Sequence, residues 1–245
     1  MKALLKSLAL RVAPRAVYDY ELSRMAPSER EIALLPQLCR ANLISVDVGA
    51  NRGLYCKHLL QYSRSVVVFE PLPTLQMRLR THFGQRIELH PIALSDSNGD
   101  AVIRVPKTHD ALSTLAPTNQ VGGADFESLP IVTRTLDSFE LSGVGFIKID
   151  VEGHEEAVLR GAHETLERNR PNLLIELEER HNPGSIGRVT ELLNRLGYAG
   201  YFLDEGALKP LSQFDAGIHQ QPQNIGAGDG AQRYINNFIF RLESH

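Results

Sequence analysis

Short β-branched runs alternate with amphipathic segments along most of this chain. The runs LISVDV (43–48) and SVVVFE (65–70) are typical of strands that are covered on both faces of a sheet. Between them, Tyr55, Leu59 and Tyr62 recur at helical spacing. The pattern therefore predicts a strand, a helix and a second strand that lies parallel to the first.

The alternation continues to the end of the chain. Further strands are predicted for RIELHPIAL, AVIRV, GFIKIDV, PNLLIELE, GYAGYFL and NNFIFRL, and further helices for the segments 75–83, 158–166 and 186–196. Two polar, glycine-bearing segments, 107–128 and 213–231, are predicted to be long loops. This order predicts an α/β fold with a doubly wound, Rossmann-like sheet, whose ligands bind beyond the carboxyl ends of the strands where the strand order reverses.

Size, charge and cysteine content narrow the classes of function. The 245 residues, 42% of them hydrophobic, suffice for one large domain, which we place at 43–245 behind a helical appendage at 1–42. The net charge is −3, the pI is about 6.3 and the Lys and Arg residues are scattered, so no nucleic-acid partner is predicted. Cys39 and Cys56 follow no disulfide or zinc spacing, which favours an intracellular, cytoplasmic protein.

The first twelve residues have an amphipathic pattern of their own. No run in the chain approaches the roughly 20 apolar residues of a membrane span, and Lys6 and Arg11 interrupt the apolar run of a secretory signal. One helical face nevertheless carries Leu4, Leu5, Leu8 and Val12. Residues 1–12 therefore predict either a peripheral helix at a membrane surface or a docking helix, for instance in a homodimer.

The turn DVGANRG after the first strand is the first candidate for chemistry. Gly49 and Gly53 would allow a tight turn and a close approach of the backbone to a ligand. Glu70 ends the next strand, where an acid can accept hydrogen bonds from both hydroxyls of a ribose. Asn51 stands where a pyrophosphate-binding turn has its second glycine. The combination predicts a nucleoside-containing cofactor, with an ordinary strand-to-helix turn as the alternative.

Six motifs together resemble one enzyme family. VDVGANRG, VFEPLP, ALSDSNG, TLDSF, IKIDVEGHE and LLIELEERH follow, in order and spacing, the pattern of FkbM-type S-adenosylmethionine-dependent methyltransferases, a branch of the class I methyltransferases. The match spans roughly residues 43–242. The resemblance implies a mostly parallel, seven-stranded sheet with an antiparallel last strand.

The resemblance also implies a cofactor site built from several strand ends. Its members would be Asp47, Gly49, Asn51, Gly53, Glu70, Pro71, Ser95, Asp96 and Asp150. Glu70 would hold the ribose hydroxyls, Asp96 would meet the adenine amine with Ser95 as a second contact, and Asp150 would lie beside the sulfonium. S-adenosylhomocysteine would be the product.

Methyl transfer to a neutral hydroxyl needs alignment and a base. The predicted catalytic residues are Asp150, Glu152 and His154, with Glu178 and His181 as further candidates. Each has a structural alternative: Asp150 could cap the next helix, and Lys148 could form an ion pair with Glu176 in a neighbouring strand. Several acids and histidines near one cleft leave a divalent ion open, but their spacing matches no metal motif, and no metal ligand is predicted.

The leading hypothesis is an O-methyltransferase that acts on a hydroxyl of a sugar, a glycolipid or a secondary metabolite. The expected partner is then a small-molecule or glycan acceptor, bound in a cleft to which the segments 107–128 and 213–231 contribute. Two alternatives remain: a Rossmann-type oxidoreductase with a nucleotide cofactor, and a non-catalytic binding protein that retains the fold.

Overall fold

The computed structural model describes residues 14–106, 113–116, 125–225 and 234–242. The strands are β1 (Ile44–Val48), β2 (Ser65–Phe69), β3 (Ile87–His90), β4 (Ala93–Leu94), β5 (Gly99–Pro106), β6 (Phe126–Arg134), β7 (Val144–Ile149), β8 (Asn172–Glu176), β9 (Tyr198–Asp204), β10 (Ala207–Pro210) and β11 (Asn237–Leu242). The α-helices are α1 (Pro14–Met25), α2 (Leu35–Leu38), α3 (Leu54–Tyr62), α4 (Pro73–Phe83), α5 (Glu155–Arg160), α6 (His163–Asn169), α7 (Ser185–Arg195) and α8 (Ala216–His219).

A large sheet runs through the centre of the described residues. Its strand order is β10-β9-β11-β8-β7-β1-β2-β3. Strand β1 pairs in parallel with both β2 and β7, so the strand order reverses there. Strand β11 pairs antiparallel with β8 and β9. The predicted doubly wound sheet with an antiparallel last strand is confirmed.

The large sheet has eight strands where seven were predicted. The additional strand, β10, pairs antiparallel with β9. Glu205 and Gly206 connect the two strands, and both have positive φ angles, 48° and 79°. Such a two-residue turn matches the twist of a hairpin, so the chain folds back on itself at the sheet edge.

A second, three-stranded sheet has the order β4-β6-β5 and corrects one loop prediction. Residues 126–128 belong to β6, which pairs antiparallel with β5 from Phe126 to Thr133. Pro130 within the strand obscured the alternating pattern, because proline usually argues against a strand interior. Of the predicted loop, residues 107–112 and 117–124 lie outside the described residues.

The predicted helix over 158–166 is two short helices, α5 and α6, separated at Gly161. A Cβ at Gly161 would lie 2.0 Å from the backbone oxygen of Ser95. The two helices are separated where the residue that follows β4, Ser95, passes close to Gly161. The other predicted loop, 213–231, is also partly regular, because it contains α8 and a 3₁₀ turn at Pro222–Asn224; residues 226–231 lie outside the described residues.

The N-terminal segment packs onto the sheet that follows it. Leu22 and Leu35 are buried in one cluster with Cys56 and Leu59 of α3, so part of the appendage completes the core of the main domain. The prediction for residues 1–12 lies outside the described residues. Among the helices that the structure describes, none is both long enough and apolar enough to cross a membrane.

Candidate functional site

A cleft lies at the carboxyl ends of β1, β2 and β7, where the strand order reverses. Its lining includes Gly49, Asn51, Glu70, Pro71, Asp150, Glu152 and His154, all of them predicted site residues. Asp96 lines an adjoining cleft that shares His154 with the first. Asp47, Gly53 and Ser95 line neither of these two clefts. The fold thus brings most of the predicted residues to one place.

The glycine turn is shaped by packing as well as by its dihedral angles. Gly49 and Gly53 have φ angles of 75° and 76°, which favour glycine. A Cβ at Gly49 would lie 1.9 Å from the backbone oxygen of Asp150, and one at Gly53 would meet the Phe83 ring at 2.5 Å. The sequence suggested two reasons for these glycines, a tight turn and a close approach to a ligand. The φ angles agree with the first reason, whereas protein atoms occupy the space considered in the second.

Glu70 holds the glycine turn in place. Its Oε2 accepts a hydrogen bond from the backbone N–H of Asn51 (2.9 Å), and its Oε1 accepts one from the N–H of Leu72 (2.9 Å). Burial raises the pKa of Glu70 to about 7, although these two hydrogen bonds oppose the shift. Each carboxylate oxygen keeps a second acceptor position, so Glu70 can support the turn and still bind a ligand hydroxyl.

Lys148, near the carboxyl end of β7, is a buried cation surrounded by acids. Its Nζ lies 2.8 Å from Oδ2 of Asp150 and 4.5 Å from the centre of the Tyr55 ring. Burial alone would lower its pKa, but Asp150, Asp47 and Glu176 outweigh that effect and raise it. The structure pairs Lys148 with Asp150 rather than with Glu176, the alternative partner named from the sequence, and Glu176 acts on Lys148 through its charge at longer range.

The Asp150 carboxylate therefore pairs with Lys148 and does not cap the N-terminus of α5. The residue at the start of α5 is His154, and no side chain caps that helix end. Instead Glu155 accepts hydrogen bonds from the N–H groups of Val151 (3.2 Å) and Gly153 (2.9 Å) and so stabilises the turn before the helix. The capping alternative for Asp150 is not what the structure shows.

Asp47 is fully buried beneath the turn. The Cys56 thiol donates a hydrogen bond to its Oδ2 (3.1 Å), while its Oδ1 has no hydrogen-bond partner among the described residues. Burial raises the pKa of Asp47, against the effect of Lys148. Its carboxyl group does not line the cleft, and it acts on the site through its effect on Lys148.

His154 connects the two clefts. Its Nε2 lies 2.9 Å from the Ser95 hydroxyl, whose oxygen lies 3.4 Å from Oδ1 of Asp96. Burial lowers the pKa of His154, although Asp96 opposes the shift. A neutral imidazole at the edge of a cleft is suited to accept a proton.

Two loops bring a second group of ionisable side chains together. Nδ1 of His181 lies 3.0 Å from Oε2 of Glu152 and 3.9 Å from Oε1 of Glu178. Burial, together with Asp150, Glu178 and Glu155, raises the pKa of Glu152 well above its usual range. Burial also lowers the pKa of His181. For Glu178, burial acts upward, but hydrogen bonds from Arg180 and Tyr234 outweigh it and lower the pKa.

Sequence reasoning missed part of the cleft wall. Ile103 of β5 and Leu115 in the short described segment 113–116 supply apolar surface opposite the carboxylates. The alternation of Leu129, Ile131 and Thr133 was the signal for the small sheet that carries this wall. Nothing comparable in the sequence indicated the contact between Tyr55 and Lys148, because it arises from packing of α3 on the sheet.

Several known proteins share this sequence pattern or this fold. A family model described as "Methyltransferase FkbM domain" matches residues 47–199. The 2-O-methyltransferase NoeI of Sinorhizobium fredii (strain NBRC 101917 / NGR234) is 29% identical over 154 residues, which are 52% of this chain and 60% of NoeI. The match thus spans less than two thirds of that relative.

Solved structures extend the comparison at the level of the fold. A methyltransferase FkbM from Methylobacillus flagellatus KT superposes with a TM-score of 0.52 and 20% identity, over 81% of this chain and 43% of that one. An rRNA methylase from Streptococcus thermophilus superposes with a TM-score of 0.51 and 12% identity, over 89% and 97% of the two chains.

Proposed function

Because this chain belongs to the family of FkbM methyltransferase domains, we propose that it transfers a methyl group from S-adenosylmethionine to a hydroxyl of a sugar, a glycolipid or a secondary metabolite. The observation that carries the proposal is the convergence of the glycine turn, Glu70 and Asp150 in one cleft at the reversal of strand order. The printed activity of NoeI, a 2-O-methyltransferase, supports a hydroxyl as the acceptor.

The polar groups of the cleft fit a nucleoside ligand. Oδ1 of Asn51 is buried and has no hydrogen-bond partner in the described part of the chain. Glu70 has further acceptor capacity after its two backbone hydrogen bonds. We assign the donor site to Asp47, Gly49, Asn51, Gly53, Glu70, Pro71, Ser95, Asp96 and Asp150. Of these, Asp47, Gly53 and Ser95 line neither cleft and would act on the ligand through the residues around them.

The chemistry needs positioning and one proton acceptor. S-adenosylmethionine supplies a methyl group that its sulfonium already activates. Asp150, fixed by Lys148, would orient the acceptor hydroxyl. Glu152 and His154 are the proposed proton acceptors, because both line the same cleft. Burial lowers the pKa of His154, which keeps its imidazole neutral, and raises the pKa of Glu152, which makes its ionised form a stronger base.

Titration calorimetry with S-adenosylmethionine, S-adenosylhomocysteine and a nicotinamide dinucleotide tests the donor. We expect binding of the first two ligands only. Binding of the dinucleotide alone would replace this proposal by the oxidoreductase hypothesis. Acceptors are then found by incubating the protein with S-adenosylmethionine and a panel of glycans and hydroxylated metabolites, with mass spectrometry for the added methyl group. Donor binding without transfer to any hydroxyl, amine or carboxylate in the panel would favour the non-catalytic alternative.

A further inference from the structure

Glu152, Glu178 and His181 form a compact group beside the cleft. Each offers one ligand atom, and the three atoms all lie within 4.8 Å of one another. Ligand atoms that share a metal ion at about 2.0–2.2 Å are at most about 4.4 Å apart, so small side-chain movements would place all three on one ion. We propose that these three residues bind a divalent transition-metal ion such as Zn²⁺ or Mn²⁺.

The ligand-bearing loops are held rigidly toward each other. Glu152 has a φ angle of 54°, in the left-handed region that a residue with a side chain seldom adopts. The hydroxyl of Thr114 donates a hydrogen bond to the backbone oxygen of Glu152 (2.6 Å), and Nδ2 of Asn182 donates one to the backbone oxygen of Gly153 (3.1 Å). The last contact joins the Glu152 loop directly to the His181 loop. The ligand atoms are therefore preorganised by the surrounding backbone.

The coordination chemistry of the group can be read from its hydrogen bonds. The Glu178 carboxylate accepts hydrogen bonds from Arg180 and Tyr234. Of these bonds, only the one from Nη2 of Arg180, at 3.0 Å, goes to Oε1. A carboxylate oxygen has two acceptor positions, so Oε1 can still bind a cation. Arg180 lies on the more exposed side of Glu178 and has a side chain 41% exposed, against 3% for Glu178.

The ligand types select the class of metal. One imidazole nitrogen with two carboxylates suits Zn²⁺ or Mn²⁺ better than Ca²⁺ or Mg²⁺, which prefer oxygen ligands alone. Three protein ligands leave coordination positions open, as in catalytic rather than structural zinc sites. Since Glu152 also lines the cleft, such a position would face the bound acceptor. If the proposed methyl transfer is correct, on which this last step rests, the ion would lower the pKa of the acceptor hydroxyl.

The site is tested without any methyl acceptor. Tag-free protein comprising residues 1–245 is treated with a chelator, dialysed, and titrated with Zn²⁺ and with Mn²⁺ by calorimetry. We expect one ion per chain for the wild type and an affinity weaker by about tenfold or more for His181→Ala and for Glu152→Gln. The matched control is His163→Ala, which removes an exposed histidine that also lies near a glutamate, Glu167, at 3.7 Å. The control should bind as the wild type does.

Two outcomes would overturn the site. One is no stoichiometric binding of either ion by the wild type, and the other is equal affinity in wild type, His181→Ala and Glu152→Gln. If the His181 variant does not fold, as its melting curve would show, electron spin-echo spectroscopy of Mn²⁺ on the wild type replaces it, and absence of a coupled imidazole nitrogen would then reject the assignment. Binding of S-adenosylmethionine in the presence of chelator is measured separately, so that failure of the metal site and failure of the proposed function give different results.

Discussion

Two sides of the cleft are built on different physical principles. On the glycine-turn side, residues 49–53 and Glu70, the important contacts join a side chain to backbone N–H groups. On the acid side, the loops at 150–154 and 177–184, they join ionisable side chains such as Lys148 with Asp150 and His181 with Glu152. The first side depends on local chain geometry, whereas the second depends on a balance of buried charges, some of which come from segments far apart in the sequence.

The difference determines how each side responds to substitution. A backbone-supported turn tolerates loss of a charge but not the addition of atoms. A group of buried charges tolerates changes of shape but not the loss of one member, because the others are then left without a counter-charge.

Replacement of Lys148 should have the largest effect. Lys148→Met removes the cation that faces Asp150, Asp47 and Glu176, and we expect the free energy of unfolding to fall by about 3 to 5 kcal/mol. Lys209→Met is the control, since Lys209 pairs with Asp204 at a more exposed position and its replacement should destabilise the protein much less. Denaturant unfolding measures both, and equal losses would contradict the charge-balance description of the acid side.

Gly49→Ala tests the glycine-turn side, and its effect on the free energy of unfolding should be the next largest. The added methyl group would lie 1.9 Å from the Asp150 backbone oxygen at a φ angle of 75°, so we expect a loss of about 2 to 4 kcal/mol. Gly187→Ala is the matched control in α7, because a Cβ there meets no atom within 4 Å; it should stabilise the protein slightly. A Gly49→Ala protein as stable as the control would show that the turn adapts.

Glu70→Ala removes the proposed ligand contact together with the support of the glycine turn. We expect the affinity for S-adenosylmethionine to fall by about 1 to 3 kcal/mol, since hydrogen bonds to a charged acceptor are lost. Glu70→Gln keeps the shape and one acceptor oxygen, so its loss should be smaller. Calorimetry at constant pH compares the three proteins, and unchanged affinity in the alanine variant would remove the ribose assignment from Glu70.

The sequence predicted the residues of both sides, but the partners of each side chain were predictable only on the glycine-turn side. The run at 43–48, the following glycines and Glu70 stand within one strand–helix–strand unit, whose geometry is local. By contrast, Lys148 has acids on both neighbouring segments, and only the packed structure shows that Asp150 is the partner. The contact between His154 and Ser95 joins residues 59 positions apart, which no periodicity could indicate.

Glu31 gives the smallest predicted effect and extends the comparison to the N-terminal segment. It is buried, and burial raises its pKa to about 7 from an ordinary value of 4.5, with Glu29 adding to the shift and Arg30 and Lys148 opposing it. The folded state therefore retains a proton that the unfolded chain releases, so this group's contribution to stability is full below pH 4.5 and is lost as the pH rises through 7. Glutamine does not titrate.

We therefore expect Glu31→Gln to match the wild type near pH 4.5 and to be more stable by about 1 to 2 kcal/mol at pH 8. Glu164→Gln, at an exposed position in α6, should differ from the wild type by less than about 0.5 kcal/mol at both pH values. Denaturant unfolding at the two pH values measures the differences. If Glu31→Gln is instead less stable than the wild type at pH 8, the carboxylate of Glu31 is ionised in the folded protein and belongs with the counter-charges of Lys148, so the acid side would extend into the segment that precedes β1.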